Sequence, residues 1–213
     1  FKNNKTAFIN LEDPIQIEKS KNLESFSFGL NKENAGVNVV SIKANPFVEI
    51  GCSDLIISTH LIGLYNANNV NAAIALGKYF EVEDLDIKEA LESYIPENNR
   101  SQLTTKATNQ IILDAYNANP SSMAVAVENF LQLENSNKIM ILGDMFELGK
   151  ESQQEHKGIV DLLLNEENVI CYFIGKEFYS NKIERNNFYF FENFDDFSNY
   201  LKGIKIENSS ILI

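Results

Sequence analysis

The sequence predicts an α/β protein in two parts: a strand-rich part with two helices, then a Rossmann-like parallel sheet. Three observations predict it. Residues 1 to about 60 hold short runs rich in β-branched and aromatic residues, separated by turn formers. Helical periodicity first appears near Asn66. Beyond residue 101, continuous apolar runs alternate with helix-period stretches, the pattern of a parallel sheet covered on both faces.

Each element follows from its own residues. "TAFIN", "ESFSFGL", "VNVVSI" and "FVEI" read as strands with no helical period among them. "NANNVNAAIALGKYF" lays Ala67, Val70, Ala73 and Ile74 on one helical face. A second helix is expected after Asp86, which stands three before Glu89 as in a capping box. Its residues Ile87, Ala90, Leu91 and Tyr94 have the spacing i, i+3, i+4, i+7, and Pro96 ends it. "PENNRS" is polar and helix-breaking, and divides the chain into residues 1–98 and 99–213. Residues 96–101 are expected to act as a hinge. After it come the strand "QIILD", a helix over 120–133, the strand "KIMILG", a helix over 151–165, the strands "NVICYFIG" and "NFYFF", a helix over 194–202 and the strand "SSILI".

Composition excludes several functions. Eighteen basic against 30 acidic residues give a net charge of −12, which repels nucleic acid and anionic membrane surfaces. No apolar run approaches the roughly 20 residues of a membrane span. Cys52 and Cys171 read as two free thiols in a cytoplasmic, monomeric protein. With His60 and His156 they show no metal-ligand spacing, so no metal site is expected among them.

The chemistry concentrates in "DAYNANPSSM". Asn119 and Pro120 suit the N-cap and first residue of a helix. Asp114, Tyr116 and Asn117 are more polar groups than a short connection requires. Asp114 and Asp144 close consecutive strands, and ligands of parallel sheets bind beyond strand carboxyl ends, so a shared polar crevice is expected. Asp144 itself reads as ordering its turn. "GDMFELGKE" is not a phosphate loop: five residues separate its glycines, and Glu151 rather than Ser or Thr follows Lys150. No G-x-G-x-x-G follows a strand, which disfavours a nicotinamide dehydrogenase. Asn66, Asn68, Asn69 and Asn71 fit either a helix start with a solvated face or carboxamides matched to an adenine edge. Arg100 fits either a surface position or a bidentate contact to a nucleotide phosphate.

Together these segments resemble the Mur ligase family over almost the whole chain. "FINLEDP" looks like a strand and turn of its central ATPase domain. "YNANNVNAA" is similar to its [H/Y]-N-x-x-N-x-x-A-A segment, with Tyr65 where histidine is common. "NRSQ" resembles its linker Gly-Arg, with Asn99 in place of glycine. "DAYNANPSSM" and "ILGDMFELG" resemble the signatures of its D-alanyl-D-alanine-adding branch, whereas the related folylpolyglutamate synthases carry a different segment at "YNANP".

The resemblance implies the end of the central ATP-binding domain followed by most of the C-terminal domain. It implies ATP-dependent amide formation between a UDP-N-acetylmuramoyl-tripeptide and D-alanyl-D-alanine in peptidoglycan precursor synthesis. It places Asn66 and Asn69 near adenine, Arg100 near the phosphates and Asp114 near the ribose. Tyr116, Asn117 and Asn119 would line the face that presents the dipeptide. The phosphate loop and the main Mg²⁺ ligands would precede Phe1, so the chain by itself is expected to be inactive. A folylpolyglutamate-synthase-like ligase and a non-catalytic flavodoxin- or receiver-like module, phosphorylated on Asp114 or Asp144, are the alternatives.

Overall fold

The computed structural model describes residues 5–53, 55–97, 99–135 and 137–213. The chain forms two units, Phe1–Pro96 and Glu97–Ile213. The boundary falls in the "PENNRS" segment. Asn98, within the expected hinge, lies outside the described residues.

In the first unit, β1 (Ala7–Asn10), β2 (Ser25–Leu30), β3 (Val37–Ala44), β4 (Phe47–Cys52) and β5 (Leu55–Ile62) form one sheet in sequence order. β1, β2 and β3 run parallel, and β3, β4 and β5 antiparallel. Val39, Val48, Ile50 and Ile57 are buried in one cluster with Ala67, Val70, Ile74 and Ala75 of helix α2 (Ala67–Tyr79). Helix α3 (Asp84–Ser93) adds Ile87 to the same core.

Two features depart from the sequence expectation. A short helix, α1 (Pro14–Ser20), stands among the strands. It buries no residue, so it has no apolar stripe to betray it; Asp13 makes it by accepting from the Ile15 and Gln16 N–H groups ahead of Pro14. α3 begins at Asp84, before Asp86, and no side chain caps it. Glu81, left-handed at φ +57°, stops α2, and the chain restarts three residues later. The Asp86–Glu89 capping box is therefore not formed. α3 ends at Ser93, ahead of the proline break.

The second unit opens with an antiparallel pair, β6 (Gln102–Lys106) and β7 (Asn109–Leu113). α4 (Pro120–Leu131), β8 (Lys138–Gly143), α5 (Ser152–Leu162), β9 (Val169–Ile174), α6 (Lys176–Ser180), β10 (Phe188–Phe191), α7 (Phe194–Leu201) and β11 (Ser210–Leu212) follow. The sheet order is β10-β9-β8-β11-β7-β6, parallel except for β6. Strand alternation gives the sheet two buried faces. Ile139, Tyr172 and Ile211 pack with Phe197 of α7 on one. Phe173 points to the other, where its ring meets that of Phe178 in α6 at 5.2 Å. β6 and α6 escape sequence reading. β6 lies at the sheet edge with no fully buried residue, and α6 is five residues long.

Candidate functional site

The antiparallel β6–β7 pair places Gln102 opposite Leu113, so the residues just beyond, Ser101 and Asp114, meet at the strand ends. The Asp114 Oδ1 accepts from the Ser101 N–H at 3.0 Å and lies 3.4 Å from its Oγ. Asp114 also donates its backbone N–H to the Ile213 carbonyl at 2.6 Å, which ties the start of the turn to the end of β11.

Arg100 reaches the same place from the linker. Asn99 and Ser101 on either side of it are left-handed, at φ +57° and +49°. Asparagine is among the few residues besides glycine that enter this region readily. That accounts for Asn99 where the family resemblance has glycine. The Arg100 guanidinium carbon sits 3.8 Å over the centre of the Tyr116 ring. Both side chains are exposed, Tyr116 at 59%. The structure thus brings together Arg100, Asp114 and Tyr116, three of the residues singled out by the sequence.

Asn117 is exposed in the same turn. Asn119 caps α4: its Oδ1 accepts from the Ser122 N–H at 3.0 Å, Ser122 Oγ accepts from the Asn119 N–H at 3.2 Å, and Pro120 is the first helical residue. Replacing Asn119 by Ala is expected to cost about 1 kcal/mol of stability, whereas Asp, which keeps the acceptor, should cost less. Chemical denaturation of both variants checks this.

Asn66 and Asn69 belong to the first unit. Asn66 is buried; its Nδ2 donates to the Ile62 carbonyl at 2.8 Å and its Oδ1 accepts from Asn69 Nδ2 at 3.1 Å. Asn68 Oδ1 accepts from Asn10 Nδ2 at 3.3 Å. Asn66 stands at the N-cap of α2 without a side-chain cap bond, so it fastens the helix to the end of β5 instead.

Asp144 is not part of the Asp114 site. β11 lies between β7 and β8, so the two carboxylates do not close neighbouring strands. Their adjacency in sequence order hides a strand that arrives last. Both Asp144 oxygens accept backbone N–H groups, from Glu177 and from Phe178, each at 3.0 Å, and cap α6. Gly175 makes this possible: at φ +125° it passes so close that a Cβ there would overlap the Asp144 carboxylate.

His156 had no assigned role in the sequence and proves to be fully buried beneath this loop. Its Nε2 accepts from the Met145 N–H at 2.9 Å, and its Nδ1 donates to the Ser152 carbonyl at 2.7 Å. Nε2 is thereby an acceptor, so its 3.7 Å approach to Asp144 Oδ1 is not an ion pair. The ring packs edge-on against Phe178 at 4.7 Å. The signal for it was the spacing His156, Ile159, Val160, Leu163, which marks a core-facing helical stripe.

The cysteines are both free and buried. Burial pushes the Cys171 thiol up to about 12 and raises that of Cys52, which keeps both protonated and unreactive. Among the described residues no group of three or more His, Cys, Asp or Glu is placed to hold a metal ion, and no helix is long and apolar enough to cross a membrane.

The second unit is thus a mainly parallel sheet flanked by helices, with Arg100, Asp114 and Tyr116 gathered where β6 begins and β7 ends, and it is the unit that identifies the Mur ligase family. The chain belongs to that family: the model of the Mur ligase glutamate ligase domain matches residues 99–212. Within the family it is similar to the D-alanyl-D-alanine ligases. The UDP-N-acetylmuramoyl-tripeptide–D-alanyl-D-alanine ligase of Bacillus subtilis is 38% identical over 99 residues, which cover 46% of this chain and 22% of that protein. The solved UDP-N-acetylmuramoylalanyl-D-glutamyl-2,6-diaminopimelate–D-alanyl-D-alanyl ligase of Acinetobacter baumannii matches with a TM-score of 0.81 at 25% identity, over 98% of this chain and 47% of that one. The MurF ligase of Thermotoga maritima, solved in complex with ADP, shares the fold with a TM-score of 0.74 at 19% identity, over 99% of this chain and 50% of that one. The chain therefore spans about half the length of these solved structures or less.

Proposed function

We propose that this chain is part of an ATP-dependent ligase that joins UDP-N-acetylmuramoyl-tripeptide to D-alanyl-D-alanine in cytoplasmic peptidoglycan precursor synthesis, acting as a monomer. The observation that carries the reading is the junction of Arg100, Asp114 and Tyr116, in a chain whose relatives are ligases of that name.

In the reaction, a tripeptide carboxylate oxygen attacks the γ-phosphorus of ATP and ADP leaves, giving an acyl phosphate. The dipeptide amine then attacks the acyl carbon, phosphate departs and the amine nitrogen loses a proton. Catalysis of this type rests on positioning and on neutralising charge as it develops. Arg100 supplies a guanidinium for the phosphoryl oxygens, and Asp114 accepts from the ribose hydroxyls. Asn66 and Asn69 border the adenine. Tyr116, Asn117 and Asn119 form the wall for the dipeptide, with the Asn119 Oδ1 already spent on its helix. The described residues offer no carboxylate cluster that fits Mg²⁺, so no step here runs through that ion.

The residue boundary between central and C-terminal domains is placed at 98/99, with residues 96–101 as the hinge between them. A folylpolyglutamate-type ligase would share the fold and differ in the amine it accepts. The test is phosphate release by the full-length protein with ATP and the UDP-linked tripeptide. Release with D-alanyl-D-alanine supports the proposal; release with glutamate and a folate instead overturns it.

Asp114 gives a finer test. In the full-length protein Asp114→Ala should raise the KM for ATP about tenfold with little change in kcat, because a ribose contact is mostly ground-state binding. Asp114→Asn, which keeps an acceptor for the Ser101 N–H, separates the ribose contact from the linker contact. An unchanged KM in both variants removes Asp114 from the site.

A further inference from the structure

We propose that Tyr116 is a positioning residue for Arg100, holding the guanidinium in the orientation that receives the phosphoryl group; this rests on the function proposed above.

The backbone of Arg100 is already placed. It lies between two left-handed residues, and the next residue, Ser101, is bonded to Asp114 through its N–H. The side chain is a different matter. An exposed arginine has several rotatable bonds and ordinarily samples many rotamers, so a lone linker arginine would have to be ordered each time an anion bound. Tyr116, two residues beyond Asp114, removes that freedom. Its ring centre lies 3.8 Å from the guanidinium carbon, within the range of cation–π attraction.

A contact to a π-cloud has a second consequence. It puts no carboxylate against the guanidinium, whose N–H groups can hold a phosphate or carboxylate by parallel hydrogen bonds. Among the described residues Arg100 makes no ion pair with Asp or Glu that would occupy these groups. Tyr116 is 59% exposed and, among the described residues, pairs with no other aromatic ring. A large exposed aromatic whose ring contact is a cation is placed for that cation.

The geometry also links two events. The Ser101 N–H and Oγ hold the Asp114 carboxylate, and Arg100 lies over the Tyr116 ring, so a ligand that moves the "YNAN" turn moves the arginine with it. The turn assigned to the dipeptide thereby sets the readiness of the group assigned to the phosphates.

The experiment is a double-mutant cycle in the full-length enzyme, following kcat and the KM values for ATP and for D-alanyl-D-alanine. Tyr116→Leu should lower kcat about 3- to 30-fold, the range expected for losing a cation–π contact, on top of any rise in the dipeptide KM from its place in the dipeptide wall. Tyr116→Phe, which keeps the ring face, should recover most of that loss. In an Arg100→Ala background Tyr116→Leu should change kcat less than twofold, because the group it positions is gone. Multiplying losses in the double variant, or a raised dipeptide KM at constant kcat, would overturn the proposal and leave Tyr116 with the dipeptide wall alone. An Arg100→Ala enzyme with normal kcat would instead sink the phosphate role of Arg100, and this proposal with it. Both side chains are exposed, and circular dichroism confirms that each variant is folded.

Discussion

Arg100→Ala in the full-length ligase is expected to lower kcat by about 10²- to 10³-fold, the loss seen when one preorganised donor to developing charge is removed. The effect should fall on kcat more than on the KM for ATP. Charge on the transferring oxygens is redistributed between ground and transition state, and the phosphate role proposed for Arg100 sets its guanidinium where that change occurs. Arg100→Lys should recover only part of the loss, since an ammonium lacks the planar fork of the guanidinium whose carbon sits over the Tyr116 ring. Steady-state kinetics at saturating ATP decide the matter. Wild-type kcat in the alanine variant would remove Arg100 from the chemistry.

Gly175→Ala is expected to be the most destabilising single substitution proposed for the second unit, at about 3–5 kcal/mol. Two costs add. The residue sits at φ +125°, where a side chain is strained, and its Cβ would overlap the Asp144 carboxylate. Relief requires Asp144 to move, which breaks its bonds to the Glu177 and Phe178 N–H groups and uncaps α6. For a unit of this size the midpoint of thermal unfolding should fall by roughly 10–20 °C. Gly158→Ala is the control. That glycine lies within α5 with open space around it, so the same added methyl should stabilise by about 0.5–1 kcal/mol. Equal midpoints for the two variants would count against the Asp144 latch.

The particulars show what was legible in the sequence. β8 and β9 were readable because "KIMILG" and "NVICYFIG" are apolar on both faces, and the helices between them because their buried stripes repeat at helical spacing. Asn119 and Pro120 were readable because capping is local chemistry. The contact between Arg100 and Tyr116 was not. It depends on β6 folding back antiparallel on β7, and β6 carries no buried run to announce it. The separation of Asp114 from Asp144 was hidden for a related reason. Sequence order gives the succession of strands and not their neighbours, and here the strand between them is contributed from a hundred residues away. His156 was hidden because its polar ring interrupts the apolar stripe that it shares with Ile159 and Val160.

The placement of β11 bears on how the second unit comes into being. Ser210–Leu212 bonds to β7 on one side and β8 on the other, so until those residues leave the ribosome the β6–β7 hairpin and the β8–β9–β10 half-sheet have no edge in common. Closing the sheet therefore joins residues about a hundred positions apart, the kind of long-range pairing that makes folding slow. During synthesis the unit must wait as two open-edged pieces, each showing unpaired backbone to its surroundings. The Asp114 N–H takes its partner from Ile213, so the polar turn at the end of β7 is secured in the same closing event. The turn that carries Asp114, Tyr116 and Asn117 is thus secured only once β11 has entered the sheet.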